Sequence, residues 1–190
     1  ALGDVEVVDV TGCSVVPGFI DQHVHLLGGG GEGGFSTRTP EVFLSDLTSA
    51  GIATVVGTLG TDNVTRHMES LLAKARGLEE EGISTWIYTG AYNVPSPTLT
   101  GNVRSDMILI DKVVGGKVAI SDHRSAQPTK QELARFAAET RVGGLLSGKA
   151  GVLHMHTGDG KQKLDMIFEI IAETDLPITQ FTPTHLNKTR

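Results

Sequence analysis

Histidines that could bind a metal ion recur in three places along the 190-residue sequence. His23 and His25 are separated by one residue, His154 and His156 repeat that spacing, and His185 follows later in the chain. Side chains two residues apart on an extended segment point to the same face, so each pair can aim two imidazoles at one point. An isolated pair of this kind is more often structural. Its recurrence on later segments favours a metal site, because imidazole is the commonest metal ligand in proteins.

Lys117 lies inside a run of valine, alanine and isoleucine, where a charged amine is costly to bury. One interpretation is structural: the side chain extends to solvent or pairs with an acid. The other is chemical, because burial favours the neutral amine. A neutral amine can take up carbon dioxide and become a carbamate, whose two oxygens and negative charge can bridge two cations.

The elements that position these residues alternate between apolar runs typical of strands and stretches typical of helices, roughly every 30 residues. The pattern predicts strands at 5–10, 15–20 (leading into His23), 52–59, 83–89, 113–120, 151–156 and 177–181, and helices at 39–50, 64–81, 103–110, 129–146 and 162–174. Leaving aside 5–10, the strands alternate with helices as in a parallel α/β fold. The sequence alone leaves two choices: an open doubly wound sheet, or a partial (β/α)8 barrel of the TIM type with about six of eight units.

Functional side chains of parallel α/β folds collect at the carboxyl ends of the strands. His156 lies nearest the end of its predicted strand and is therefore the better ligand of its pair. His154 lies deeper, which predicts a packing or supporting role. His67 falls on a predicted helix and His123 in a polar loop, so both are predicted to be surface residues.

The composition narrows the class of partner. The net charge of -6 argues against a nucleic acid, since phosphate binding normally needs a basic face. No apolar run approaches the ~18 residues that span a bilayer, which argues against a membrane partner. The single cysteine, Cys13, excludes an internal disulfide. Together with the missing signal peptide, these features favour a cytoplasmic protein that acts on a small molecule.

One segment has a strong resemblance to a known family. Residues 17–25, Pro-Gly-Phe-Ile-Asp-Gln-His-Val-His, are similar to the PGfiDxHxH segment at the first barrel strand of the amidohydrolase superfamily. Lys117, His156 and His185 follow in the expected order. Within the superfamily the chain most resembles the isoaspartyl dipeptidases, in the glycine loop with Glu32 and in segments 57–61, 89–92, 117–124 and 183–185.

The resemblance implies a binuclear zinc centre. His23 and His25 would hold one zinc ion, His156 and His185 the other, and carboxylated Lys117 and a hydroxide would bridge the two. Histidine and oxygen ligands also suit cobalt, manganese or nickel. The implied substrate contacts are Gly30, Glu32, Thr61, Tyr92 and Arg124. Among these, Glu32 would meet the free amino group, Arg124 a carboxylate, and Tyr92 the carbonyl under attack.

The sequence departs from the family pattern in two ways. Lys188 stands where the family has an arginine that contacts substrate, and lysine lacks the bidentate fork of arginine. The aspartate of the eighth strand, a metal ligand and proton shuttle in the family, would fall beyond Arg190. Residues 1–14 are interpreted as a remnant of an N-terminal β-domain, and 15–190 as an incomplete catalytic barrel. We therefore expect a piece of a longer enzyme that is inactive alone.

The function implied is metal-dependent hydrolysis of the β-aspartyl isopeptide bond of isoaspartyl dipeptides by a bridging hydroxide. Two alternatives remain at this stage. Another amidohydrolase activity, on a cyclic amide as in dihydroorotases and hydantoinases or on an N-acyl amino acid, would use the same metal frame. A catalytically incomplete fragment, without the eighth-strand aspartate, is an alternative of a different class. The family resemblance also implies a homo-oligomer.

Overall fold

The computed structural model describes residue 3 and residues 5–188. Within that part of the chain, six strands alternate with five α-helices. The strands are β1 (Phe19–Val24), β2 (Ile52–Gly57), β3 (Ser84–Gly90), β4 (Val113–Ile120), β5 (Val152–Thr157) and β6 (Phe181–Thr184). The helices are α1 (Leu44–Ser49), α2 (Met68–Glu80), α3 (Val103–Leu109), α4 (Lys130–Ser147) and α5 (Asp165–Glu173).

The six strands form one sheet in sequence order, and every neighbouring pair is parallel. One α-helix lies in the connection between each strand and the next, as parallel neighbours require. This arrangement, six parallel strands with five α-helices between them, confirms the predicted parallel α/β fold.

The sheet is curled, because side chains from its first and later strands meet. In a flat sheet, β1 and β5 would stand about 19 Å apart, four spacings of about 4.8 Å. The rings of His23 on β1 and His154 on β5 have centroids only 5.0 Å apart. The strands therefore form a half-barrel whose concave face carries these residues, as the barrel interpretation predicts and an open sheet does not.

The helices cover the outer face of the half-barrel. Leu71 and Leu78 of α2, Leu133 of α4 and Ile170 of α5 are fully buried in the core. At Gly116 of β4, a Cβ atom would lie 2.7 Å from the Phe136 ring of α4. Gly116 thus allows α4 to pack directly on the strand. None of the helices in the described part of the chain combines the length and apolar character that a membrane crossing needs.

Three predicted helices begin later than expected, because their first residues belong to loops. Residues 39–42 bond to the glycine-rich loop instead of forming a helical turn: Thr39 N–H donates to the Gly29 carbonyl, and Val42 N–H to Leu26. Residues 64–65 are held by Asp62, whose carboxylate accepts both of their backbone N–H groups. The third, α5, starts at 165 rather than 162. In contrast, α4 begins at the predicted capping box of Thr129 and Glu132.

One predicted strand lies at other residues than expected, and another is not formed. Residues 178–180 form a 3-10 turn after Pro177, so the last strand starts at Phe181 rather than at Pro177. The valine-rich stretch 5–10 forms no strand and is exposed throughout. Its alternation matches a strand, but no segment of the described chain pairs with it.

Candidate metal centre

The five side chains predicted to bind metal lie together at the concave face of the half-barrel. His23 belongs to β1, His25 follows it, Lys117 belongs to β4, His156 to β5, and His185 follows β6. The His23 ring centroid lies 5.2 Å from those of both His25 and His185, and the His156 and His185 centroids are 4.7 Å apart. Four imidazoles therefore surround one small region of space.

Lys117 sits among these rings and is fully buried. Its Nζ atom lies 3.5 Å from His23 Nε2, and no carboxylate of the described residues forms a salt bridge with it. Burial lowers the pKa of Lys117 to about 7. The lysine thus neither reaches solvent nor pairs with an acid among the described residues, so the contacts expected from the structural interpretation are not present there. A large share of its amine is neutral at physiological pH.

The histidines are also held in the neutral form. Burial is the main cause that lowers the pKa of His25 and of His156 to about 4, and that of His23 to about 2. Lys117 adds a repulsive charge to each. A neutral imidazole keeps a lone pair on one nitrogen, which is the form that binds metal. In addition, His25 Nδ1 is a buried atom with no hydrogen-bond partner in the protein.

The side chains around Lys117 offer nitrogen donors for a metal ion but do not make a complete set of ligands by themselves. Among the described residues, no three His, Cys, Asp or Glu side chains form a group that could hold a metal ion by themselves. A ligand set of two histidines and a carboxylated lysine contains only two His, Cys, Asp or Glu side chains, so it does not form such a group. The buried, unpaired lysine between two histidine pairs fits a bridging carbamate, so the donor set is compatible with two zinc ions.

His154 lies behind the predicted ligands and is buried. Its Nε2 atom is 2.9 Å from His23 Nδ1, and its Nδ1 atom is 3.2 Å from Thr182 Oγ1. Its ring stacks on Tyr88, with centroids 4.5 Å apart and an interplanar angle of 8°. The side chain therefore packs and supports a neighbour, as its depth in the strand predicts.

Asp122 is a buried carboxylate that the sequence analysis did not single out. Its Oδ2 atom lies 2.7 Å from His156 Nε2 and accepts a 2.7 Å hydrogen bond from Arg124 Nη2. Its Oδ1 atom accepts a 2.9 Å bond from Arg124 Nε. These bonds, led by the Arg124 side chain, hold the pKa of Asp122 well below its usual range. The only sequence signal was its place two residues before Arg124.

The predicted substrate contacts line a cavity of about 450 Å³ next to the histidines. Glu32 and Arg124 form an ion pair, with Oε1 and Nη1 3.1 Å apart, and Thr61 Oγ1 donates a 2.9 Å hydrogen bond to Glu32. The Tyr92 ring lies 4.9 Å from that of His156. Among the residues that line the cavity are His23, His25, Gly30, Glu32, Thr61, Tyr92, Arg124, His156 and His185.

The charges in this cavity are fixed by local contacts. The backbone N–H of Glu32, with smaller effects of Thr61 and Arg124, lowers the pKa of Glu32, which keeps its carboxylate charged. Burial raises the pKa of Tyr92, so its phenol stays protonated and can donate a hydrogen bond. The cavity therefore offers an anion, a cation and a neutral donor beside the histidines.

Arg66 organises the glycine-rich loop that forms one wall of the cavity, and it too was missed by the sequence analysis. Its guanidinium is buried and donates to four backbone carbonyls, at 2.9–3.3 Å: those of Leu27, Gly29, Gly30 and Thr39. Its position within an apparent helix gave no hint of these contacts.

Local backbone conformation also positions the site. His185 takes a left-handed conformation with φ of 62°, which is uncommon for a residue with a Cβ atom. Gly60 packs against His25, where a Cβ atom would lie 2.9 Å from the ring Cε1. Strained or close-packed backbone of this kind is common at functional sites.

The remaining predicted residues lie elsewhere. His67 precedes α2 and His123 lies in the loop after β4, and both are exposed, as predicted. Lys188 ends the last 3-10 turn, and its side chain lies outside the described residues.

Comparison with known proteins identifies similar structures for nearly the whole chain. No protein-family model matches it. The crystal structure of beta-aspartyl dipeptidase from the thermophilic, keratin-degrading Fervidobacterium islandicum AW-1 is 55% identical over 92% of this chain, with a TM-score of 0.90. A structure of that enzyme in complex with a beta-Asp-Leu dipeptide matches with 55% identity, again over 92% of this chain, and a TM-score of 0.89. The chain spans about half of these relatives, covering 48% and 46% of their lengths.

Proposed function

Because this chain is a homologue of the beta-aspartyl dipeptidases over 92% of its length, we propose that it carries the metal-binding and substrate-binding side chains for hydrolysis of β-aspartyl dipeptides. A relative with 55% identity binds beta-Asp-Leu in its crystal structure, which supports this substrate class. The bond to be cleaved is the amide between the aspartate side chain and the following residue.

The observation that carries the proposal is Lys117, buried without an acidic partner between two pairs of histidines. A buried ammonium without a counter-ion is strongly disfavoured. Its neutral amine can attack carbon dioxide, form a nitrogen–carbon bond and release one proton. The resulting carbamate is an anion, and it would supply negative charge to metal cations that otherwise meet only neutral histidines.

In this proposal His23 and His25 hold one zinc ion, His156 and His185 hold the other, and carboxylated Lys117 is shared between them. When bound, zinc ions supply an activated water at neutral pH and polarise a carbonyl oxygen. The protein lowers the pKa values of His23, His25 and His156, so that no proton competes for their nitrogen lone pairs at neutral pH.

The other side chains recognise the two charged ends of a dipeptide. Glu32 carries a negative charge suited to a free α-amino group, and Arg124 a positive charge suited to a carboxylate. Tyr92 keeps its proton and can donate a hydrogen bond to the carbonyl oxygen as negative charge develops there. Gly30 and Thr61 complete the wall beside Glu32. A cyclic amide lacks the free amino group, so Glu32 would have no cation to bind.

A panel of substrates tests the proposal. The zinc-loaded protein is titrated calorimetrically with β-Asp-Leu, α-Asp-Leu, dihydroorotate, a hydantoin and an N-acetyl amino acid, and product release is followed by chromatography. We expect binding of β-Asp-Leu in preference to the others. Preference for dihydroorotate, a hydantoin or the N-acetyl compound would reject the dipeptidase assignment and leave another amidohydrolase activity. Release of leucine by the 190-residue chain alone would contradict the expectation that it is inactive by itself.

Arg124→Gln is the matched variant for that panel, with Arg135→Gln on the exposed face of α4 as its control. Loss of a charged hydrogen bond should weaken β-Asp-Leu binding about tenfold or more. The control should bind as the unmodified protein does. Equal binding in both variants would remove Arg124 from the proposed site.

A further inference from the structure

The strand register places His154 beside Lys117 and two residues before His156 on β5. It pairs with Lys117 across β4 and β5, and with Thr182 across β5 and β6. Residues paired in this way on neighbouring parallel strands share one face of the sheet. His154 is therefore held between the lysine and the threonine, with its ring toward His23.

The hydrogen bonds around His154 fix where its proton lies. The Thr182 hydroxyl donates to the Leu153 carbonyl, which can only accept. With its hydrogen used in that bond, the hydroxyl can only accept from His154 Nδ1, 3.2 Å away, and the arrangement in which both bonds form has the proton of His154 on Nδ1. A neutral imidazole has one N–H group, so His154 Nε2 carries a lone pair.

The same reasoning extends to His23. Because His154 Nε2 is an acceptor, the atom that faces it at 2.9 Å, His23 Nδ1, must carry the proton of that ring. The lone pair of His23 is then on Nε2, the atom that faces Lys117 Nζ. Stacking on Tyr88 keeps the His154 ring in the orientation that this chain of bonds needs.

We infer that His154 is a positioning residue that accepts a hydrogen bond from His23 Nδ1–H and thereby presents the His23 Nε2 lone pair to the metal. The inference rests on the proposed role of His23 as a zinc ligand. Partners of this kind fix the tautomer and ring orientation of a ligating histidine. His154 itself would provide no ligand atom to the zinc ions.

Two substitutions separate positioning from packing. His154→Phe keeps an aromatic ring to stack on Tyr88 but removes the acceptor. His154→Gln loses the ring but places an amide oxygen close to the position of Nε2. Zinc affinity is measured by competition with a chromophoric chelator, and the stability of each metal-free variant by urea unfolding.

Replacement by phenylalanine should weaken zinc binding about 10–100-fold, whereas glutamine should retain most of the affinity. If His154→Phe binds zinc with unchanged affinity, His154 serves only in packing and the inference is overturned. An equal loss of affinity in both variants, with fewer zinc ions bound, would make His154 itself a ligand and would also overturn it.

A measurement on the unsubstituted protein covers the case in which His154→Phe does not fold. The nitrogen chemical shifts of the ¹⁵N-labelled imidazoles report the tautomer of each histidine in the metal-free protein, with His23→Asn used to assign the His23 signals. We expect the Nδ1–H form of His23, and the Nε2–H form would overturn the inference. This test does not depend on zinc, so a protein that binds no zinc would refute the proposed function but leave the hydrogen-bonding role of His154 to be judged by the tautomer.

Discussion

Two buried polar side chains, Asp122 and His154, are each hydrogen-bonded to a histidine that we propose as a zinc ligand. The Asp122 carboxylate differs from His154 in that it also holds Arg124, through two of the three guanidinium nitrogens. One side chain therefore joins a proposed metal ligand to a proposed substrate contact. Changes at Asp122 should affect both sites at once.

Asp122→Asn tests that link between the two sites. The amide has no charge to hold Arg124 and can accept at only one of its two positions, so His156 and Arg124 both lose a fixed partner. Zinc affinity should fall about 10–100-fold, and the dissociation constant of β-Asp-Leu should rise in protein saturated with zinc. Chelator competition and calorimetry measure the two effects.

Asp159→Asn is the matched control for Asp122→Asn, since it makes the same charge change at an exposed position in the loop after β5. It should leave both affinities unchanged. If Asp122→Asn weakens only dipeptide binding, the carboxylate serves Arg124 alone, and the link to the metal site is refuted.

At the scale of elements, the glycine-rich loop after β1 is held by one buried side chain from a distant segment. Arg66 donates hydrogen bonds to four backbone carbonyls, and Asp62 Oδ2 lies 3.6 Å from its Nη1 atom. Gly30 and Glu32 depend on this arrangement for their position beside the cavity. Tertiary contacts therefore set the conformation of this loop, which is an ordered part of the site.

Arg66→Met removes these bonds but keeps the length of the aliphatic chain. Buried carbonyls without donors are costly, so the free energy of unfolding should fall by about 3 kcal/mol. Residues 28–34 should also exchange their amide hydrogens faster. Urea unfolding and hydrogen exchange measure the two effects.

Arg76→Met is the control for Arg66→Met, because Arg76 pairs with Asp111 at 3.4 Å on the surface, where both side chains are exposed. Such a pair contributes about 0–1 kcal/mol. Equal destabilisation by the two substitutions would show that Arg66 has no special role in the loop.

The elements differ in how well local sequence predicts them. Strands β2 to β5 and helix α4 follow from apolar runs and the Thr129 capping box, which are local signals. The starts of α1 and α2 do not follow from local signals. The residues of their predicted first turns are instead hydrogen-bonded to the glycine-rich loop and to Asp62. The 3-10 turn at 178–180 contains β-branched residues typical of a strand, and only the sheet register distinguishes it from one.

The residues of the site also differ in how well the local sequence predicts them. Histidine spacing and the carboxyl-end rule bring His23, His25, His156 and His185 to one place, since both depend on strand geometry. Asp122 contacts His156, 34 positions away in the sequence, and Arg66 contacts carbonyls 27 to 39 positions away. Such contacts exist only once neighbouring strands have paired, so no local pattern could indicate them.

At the scale of the whole molecule, the buried histidines make stability depend on pH. Mainly through burial, the pKa values of His25 and His156 are lowered to about 4 and that of His154 to about 3, against 6.5 for the unfolded chain. Between pH 4 and 6.5 the unfolded chain therefore binds more protons than the folded one. The free energy of unfolding of the metal-free protein should consequently fall as the pH falls through this range.

Urea unfolding of the metal-free protein at several pH values between 4 and 7 measures this effect. His25→Asn removes one buried imidazole, so its stability should depend less steeply on pH. The same slope in both proteins would contradict the lowered pKa of His25.

The central claim is that Lys117 and the histidines around it form a zinc site, and metal content tests it most directly. Zinc per chain is measured by elemental analysis after dialysis with bicarbonate, for the unsubstituted protein, Lys117→Met and Lys112→Met, each checked for folding by circular dichroism. Lys112 is the matched control, because it is also buried beside β4 but pairs with Glu79. We predict about two zinc ions per chain in the unsubstituted protein and in Lys112→Met, and a loss of most zinc in Lys117→Met. A folded protein that binds no zinc, or a Lys117→Met variant that binds as much as the unsubstituted protein, would contradict the account.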